Sequence, residues 1–435
     1  MLHFIANSYI SRIRFAPMGA EGPFGAEGAE GAEGAEGAEG AESASINAYT
    51  SRALLTNRDG IVGPWLPPAA LPIPVGPPLG ETENLWRWSP GVRGRIFVQS
   101  MLQPLEFAVT SDNAWATLWH RAPLAPFTIK SLPAGSVAGP SLLIAIQRPA
   151  PADFHRQLLW LEYWSSLRAE RAAEIMSQIS DLMSFFSSIM GMRVEKDRYT
   201  LELLSAAFQA TRLIEHRFKN ALASRRPGDY SPQIQPMVPT PGHSTFPSGH
   251  ATESHVLAYL LWQFAAVRGG APEPATPPAP PPPPPPWGSG GPSATHALTQ
   301  LQRQAYRITV NRTVAGLHFP SDNGAGALLG LTIGRYLWQR MWMAAYAGAM
   351  PTPLTATGFD GTAFQTVNSG GAPVDPNPDY LMDDPWRLID AATWPPARGQ
   401  YNSAYKQFTG QTVTLDGAGD AILGRLFQLA VREWT

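Results

Sequence analysis

The sequence predicts a mainly α protein, a helical bundle with irregular extensions at both ends. Three observations lead there. Apolar residues recur at helical spacing through Leu158–Met190 and again through Asp197–Ser224. Three later stretches, His255–Val267, Ser293–Thr313 and Asn323–Ala347, continue the helical pattern. Outside these runs the chain is rich in Pro (44) and Gly (40), with 15 % charged residues, which implies much irregular backbone around the bundle. At 435 residues the chain can bury a large core, in one big domain or two.

Taken in order, residues 1–45 are an arm dominated by Gly-Ala-Glu repeats over Gly19–Glu42. Such a tract carries regular negative charge and nothing to bury, so it is expected to be disordered. Residues 46–152 read as an irregular wrapping region, with short strands expected in Gly94–Val109, where RIFVQS and EFAV alternate. The helical core spans 153–348. Its first run carries Leu161, Trp164, Leu167, Ile175, Ile179, Leu182, Phe186 and Ile189 on one stripe, with room for a break. The next carries Leu204, Phe208, Thr211, Ile214, Phe218 and Leu222, and Pro227 follows Arg226, biasing it to extended backbone. A Pro-rich insert, 268–292, reads as an exposed linker, with a ligand for a proline-recognising domain as the alternative. Residues 349–435 read as mostly loop, closed by a helix near Asp420–Trp434.

Composition excludes several functions. A formal net charge of −2 gives no general affinity for polyanions, so nucleic acid is not an expected partner. Without cysteine there is no disulfide, thiolate catalysis or Cys-type zinc site. The acidic cluster Asp375–Pro385 lacks the spacing of a calcium loop. No run approaches the ~18 apolar residues that would span a bilayer. The first residues make a poor targeting signal, because their arginines follow the apolar stretch. The expectation is a soluble, cytoplasmic protein.

The chemistry concentrates in Pro241–His255, PGHSTFPSGHATESH, a turn running into a helix. Ser248-Gly249-His250 at a helix start offers unpaired backbone N–H groups, a hydroxyl and a close backbone approach, all suited to an oxyanion. His250 can move a proton near neutral pH. Positive charge comes from Lys219 and Arg226 upstream and Arg312 downstream, whose guanidinium forks suit a tetrahedral anion. Lys219 could instead form an ordinary helix-surface pair with Glu215, worth roughly 0.3–0.5 kcal/mol. His318 and Asp322 are spaced so that the carboxylate can orient the imidazole, although Asp322 also suits a helix cap.

In the order Lys-x6-Arg-Pro, Pro-Ser-Gly-His, Arg-x5-His-x3-Asp, these residues resemble the three motifs of the superfamily of type-2 phosphatidic acid phosphatases and vanadium-dependent haloperoxidases. The resemblance covers roughly 199–346 and suggests a soluble haloperoxidase-like member. It implies vanadate as cofactor, bonded to His318 and caged by Lys219, Arg226, Ser248, Gly249 and Arg312, a site that phosphate could also occupy. It implies His250 as the acid–base and Asp322 as the partner of His318. His243 resembles an extra histidine of bromide-oxidising members; a loop histidine facing water is the competing reading. His216 stands where a tryptophan is found in haloperoxidases, and with Phe246 and His243 it is a candidate to line a halide position. Hydrogen peroxide, a halide, foremost bromide, and a small organic acceptor would be the partners. A homodimer is a family-level expectation. The alternative is phosphomonoester hydrolysis through a phosphohistidine at His318. A third reading, an idle oxyanion-binding scaffold, sits poorly with intact residues at all the motif positions.

Overall fold

The computed structural model describes residues 48–61, 63, 82–112, 114–121, 140–267, 294–346, 354–364, 385, 386, 388, 403–413, 415 and 420–434. The Gly-Ala-Glu tract, the proline tract and residues 375–384 of the acidic cluster lie outside them. Among the described residues, those up to 93 form one compact unit and those from 94 onward the other. In the smaller unit, helix α1 (Ala48–Ile61) and a 3-10 turn (Thr82–Arg87) are described. There the Arg93 guanidinium lies 4.7 Å from the Trp86 ring centroid and donates to the Trp88 carbonyl.

Helix α2 (Pro90–Leu102) leads to strands β1 (Leu105–Val109), β2 (Ala116–His120) and β3 (Ser141–Gln147). Helices α3 (Pro151–Ser165), α4 (Arg168–Ser177), α5 (Met183–Met190), α6 (Arg198–Leu222) and the short α7 (Pro227–Tyr230) follow. Then come α8 (Gly249–Val267), α9 (Ala294–Val314) and α10 (Pro320–Tyr346), strands β4 (Leu354–Asp360) and β5 (Tyr405–Val413), and α11 (Ala421–Arg432). The sheet has the order β1-β2-β3-β4-β5; β3 and β4 run parallel and the other neighbours antiparallel. The parallel pair joins strands from either side of the helical core in sequence. It is anchored to α10 where the Thr332 and Thr357 hydroxyls meet at 2.8 Å.

Helix α8 is the axis of the bundle. It is almost wholly buried, its apolar residues lying on every side and its polar ones, among them Glu253, His255 and Gln263, buried with them. Helices α6, α9 and α10 pack against it. The approach of α10 is set by glycine. A Cβ at Gly326 would fall 2.5 Å from the Ser248 carbonyl oxygen, and one at Gly330 would overlap the Thr252 carbonyl oxygen. The two backbones therefore touch, and no larger residue fits between them. Helix α11 completes the arrangement by capping α6: the Glu433 carboxylate accepts from Tyr199 N–H (2.7 Å), Thr200 N–H and the Thr200 hydroxyl (both 2.8 Å).

The bundle is mainly α, as the periodicity predicts, and several local expectations are corrected. Of the two strand expectations, EFAV is met, as β1, whereas RIFVQS is the body of α2, and the Arg340 guanidinium binds the carbonyls of Ser100 and Met101 near its end. The regions read as irregular before residue 153 and as loop after 349 together supply the five strands. The long run Leu158–Met190 breaks into parts of three helices. Ile179 falls in a break and is 42 % exposed, off the buried stripe, while Trp164, Ile175 and Phe186 keep to it. Gly191 ends α5 in the left-handed conformation.

Gly330→Ala should destabilise the protein by about 1–3 kcal/mol, since the added methyl meets backbone that cannot rotate away. Urea unfolding monitored by far-ultraviolet circular dichroism measures this; an unchanged midpoint would show that α8 and α10 can separate freely.

Candidate active site

The three motifs meet at the N-terminus of α8. Helix α6 ends at Leu222 with Ala223 left-handed, and Arg148 binds the carbonyls of Leu222 and Ala223. This fixes the last turn of α6, which carries Lys219. Lys219 is not a surface residue. It is 2 % exposed, and its ammonium donates to the carbonyls of Pro247 (2.6 Å), Ser244 (3.3 Å) and Thr245 (3.5 Å). Burial first, then Arg226, pulls it down to about 8, against the opposing pull of Glu215. The ordinary Glu215–Lys219 surface pair is thereby excluded.

Arg226 is extended, with φ −73° and ψ 157°, as its following proline dictates. Its guanidinium ties two loops together. It donates to the carbonyls of His243 (3.2 Å) and Leu317 (3.0 Å) and reaches His318 Nε2 at 3.1 Å and His243 Nδ1 at 3.2 Å. Arg312 is buried and donates to the Gln178 side-chain oxygen at 2.9 Å, while its Nε has no partner. Burial lowers both arginines to about 10.

His318 and Asp322 form the predicted pair, with Nδ1 to Oδ2 at 3.1 Å. The same carboxylate oxygen accepts from the Thr245 hydroxyl (2.5 Å) and the Phe319 N–H (3.0 Å), so Asp322 both caps α10 and orients the imidazole. With Arg226 donating to Nε2, the His318 proton belongs on Nδ1 and the Nε2 lone pair faces the cationic side. Burial and then Arg226 and Lys219 hold His318 well below the usual histidine range. Burial raises Asp322 to about 6, against Thr245 and Phe319, leaving it ionised at neutral pH.

At the start of α8 the Ser248 N–H bonds the Asp322 carbonyl (2.9 Å), and the first helical bond runs from Thr252 N–H to the Ser248 carbonyl. The N–H groups of Gly249, His250 and Ala251 therefore have no acceptor within the helix. The Ser248 hydroxyl is fully buried and has no partner. His250 Nε2 donates to the Gln178 carbonyl at 3.0 Å, and burial and then Arg312 keep it neutral. His243 does not face water as a loose loop residue: its ring packs on His216 at 5.2 Å, and burial lowers it to about 4. The His216 side chain is half-exposed and bonds the Arg212 carbonyl. Phe246 is fully buried among Phe154 and Phe359, so it supports the Pro247–Ser248 turn from the core side.

Four residues of the site had no sequence motif to mark them. Gln178 sits in the helix break and serves Arg312, Asn311 and, through its carbonyl, His250. Asn311, next to Arg312 in sequence, links Arg171, Glu174 and Gln178. Thr245 holds Asp322, and Glu215 lies against Gly249. A polar residue interrupting an apolar stripe, as Gln178 does, is the signal that could have found the first.

Fold and site together define a mainly α protein in which three basic side chains, several neutral imidazoles and a helix N-terminus converge. Residues 200–346 match the family model described as PAP2 superfamily, and the chain carries a PAP2 superfamily domain there. Its function is therefore of the phosphatase or haloperoxidase type. Comparison with curated proteins gives no match. No helix among the described residues is long and apolar enough to cross a membrane.

His255, two turns into α8, offers a clean measure of what burying a neutral imidazole does here. It is fully buried, donates from Nδ1 to the Ala251 carbonyl (2.7 Å), and burial lowers it to about 4. In the unfolded chain a histidine takes up its proton near 6.5. The unfolded state thus binds more protons between about 6.5 and about 4, and stability falls as pH falls through that window. His255→Asn, which keeps the donor, should flatten this decline by up to ~1.4 kcal/mol per pH unit. Urea titrations at several pH values test it; an identical slope in the variant would show His255 protonated in the native state.

Proposed function

We propose that the site binds a tetrahedral oxyanion and that the protein is a vanadate-dependent haloperoxidase, oxidising halide, foremost bromide, with hydrogen peroxide. One observation carries the oxyanion reading. Three buried cations stand beside a Ser248 hydroxyl and an Arg312 Nε that have no acceptor. Buried donors and charges of this kind are costly unless an anion meets them. The donor set fits vanadate: Lys219, Arg226, Arg312, Ser248 and the Gly249 N–H would hold its oxygens, and His318 Nε2, which here accepts from Arg226 at 3.1 Å, would offer its oriented lone pair. When bound, vanadate supplies a Lewis acid that makes a peroxide oxygen attackable by halide.

The residues of the chain have the following parts. The cations offset the charge of the anion and of the activated peroxide. Asp322, itself fixed by Thr245 and the Phe319 N–H, keeps the His318 proton on Nδ1 and its lone pair on Nε2. His250 is neutral because burial and Arg312 disfavour its charged form. A bound anion offsets Arg312 and Lys219, raises the His250 pKa, and readies it to give a proton to the departing oxygen. The packed His216–His243 pair beside Arg226 supports the haloperoxidase reading, because it places two imidazoles at the cationic edge where a halide would approach. The oriented lone pair of His318 supports the second reading, a phosphomonoester hydrolase forming a phosphohistidine there.

A paired assay separates the two. Purified protein with orthovanadate, peroxide and bromide should brominate a phenolic dye, while p-nitrophenyl phosphate without vanadate should not be hydrolysed. Turnover of the ester alone would replace the first reading with the second. His250→Ala should lower the rate by about 10²–10⁴-fold, and His318→Ala should abolish it; a fully active His318→Ala protein would remove the site assignment.

A further inference from the structure

Glu215 lies one turn before Lys219 on α6 and is 3 % exposed. Its carboxyl group rests on Gly249: a Cβ built there would fall 2.6 Å from Oε1 and 3.0 Å from Oε2. A side chain at 249 would have to push the carboxyl group aside, and Gly249 also carries one of the N–H groups of α8 that have no acceptor within the helix. Oε2 is buried and has no hydrogen-bond partner. The neighbours are engaged elsewhere. Lys219 aims at the 244, 245 and 247 carbonyls, and Arg212 pairs with Glu253 at 2.6 Å. His216 Nδ1 donates to the Arg212 carbonyl and stays 3.8 Å from Oε1. An acceptor oxygen is thus left over at the edge of a site otherwise made of donors.

We propose that Glu215 is the specificity-determining residue of this site, admitting an oxyanion that carries an O–H, such as hydrogen phosphate or hydrogen vanadate, over sulfate. This rests on the oxyanion reading given above. A carboxyl oxygen beside an anion oxygen is stable only with a proton between them; without one, two lone pairs and two negative charges face each other. When Glu215 is protonated it supplies that proton, and any tetrahedral anion is accepted. When Glu215 is ionised the proton must come from the anion. Hydrogen phosphate has one and sulfate does not, so sulfate alone is rejected.

The groups facing Glu215 set where this change falls. Glu253 faces it from α8, Arg212, His216 and Lys219 from its own helix, and Arg226 from the segment after it. Burial and then Glu253 push its carboxyl up to about 8, while Lys219, Arg212 and Arg226 oppose them. Lys219 titrates in the same range and phosphate itself loses a proton near neutral pH; wild type and Glu215→Gln share both effects, so a loss of sulfate present in the first and absent in the second isolates Glu215.

Isothermal titration of the full chain with inorganic phosphate and with sulfate, one pH unit below and one above that value, tests the proposal. Both anions should bind below it. Above it, sulfate should weaken by about tenfold or more relative to phosphate, the worth of one hydrogen bond to a charged group. Glu215→Gln donates from its amide without titrating, and should show no pH-dependent preference. Glu253→Gln keeps the carboxyl but removes its negative neighbour, and should move the loss of sulfate to lower pH. A wild-type ratio that ignores pH overturns the proposal, and so does a folded Glu215→Gln protein that still rejects sulfate above it. Should Glu215→Gln not fold, the Glu253→Gln arm decides, and an unmoved sulfate profile overturns the proposal. Wild type binding neither anion would instead bring down the oxyanion reading itself.

Discussion

The site depends on how closely two helices can lie. Helices α8 and α10 touch backbone to backbone because Gly326 and Gly330 present no side chain to the Ser248 and Thr252 carbonyls. That contact puts the beginning of α10 beside the beginning of α8. As a result the Ser248 N–H bonds the Asp322 carbonyl, and the Thr245 hydroxyl reaches the Asp322 carboxylate. A spacing wider by one methyl group would break both, and with them the orientation of His318. The glycines that make the start of α10 a weak helix former by intrinsic propensity are thus what lets two motifs, far apart in sequence, share one hydrogen-bond network.

Around that contact the protein has concentrated groups that disfavour one another. Lys219, Arg226 and Arg312 are buried near His243, His250 and His318, and each cation lowers the proton affinity of an imidazole it faces. Neutral imidazoles are the result, with tautomers fixed by carbonyl and carboxylate partners. Such an assembly stores a strong attraction for negative charge, because its donors are already oriented and already out of water. Backbone carbonyls take up part of the cationic demand. Lys219 and Arg226 each grip carbonyls of the 243–247 loop, so the loop is drawn in by the same charges that would hold an anion.

How far the sequence foretold this differs by residue. The helices were legible because burial on one face imposes a period, and Lys219, Arg226, Ser248, Gly249, His250, Arg312, His318 and Asp322 were legible because their order and spacing are specific. The sheet was not. Its strands are short, β3 and β4 are separated by the whole helical core, and their pairing depends on partners that no local window contains. Ile179 kept the helical period yet lies exposed, because the helix stops just before it. Gln178 in the same break was marked only as a polar residue interrupting an apolar stripe. Its value lies in a carbonyl and an amide turned toward other helices, a property of position rather than of residue type.

Glu215 shows where sequence reasoning and physical reasoning part most clearly. Four residues before a lysine on a helix, it has the spacing of a common surface ion pair. Burial reverses that expectation. Once both groups leave water, the ammonium donates to three fixed carbonyls rather than to the carboxylate, which also sits beside Glu253. The carboxyl then answers to desolvation and to its like-charged neighbour, and moves toward its neutral form. A pairing rule derived from exposed helices thus fails at this position because the helix has been turned inward, and the group it misassigns is left buried against Gly249.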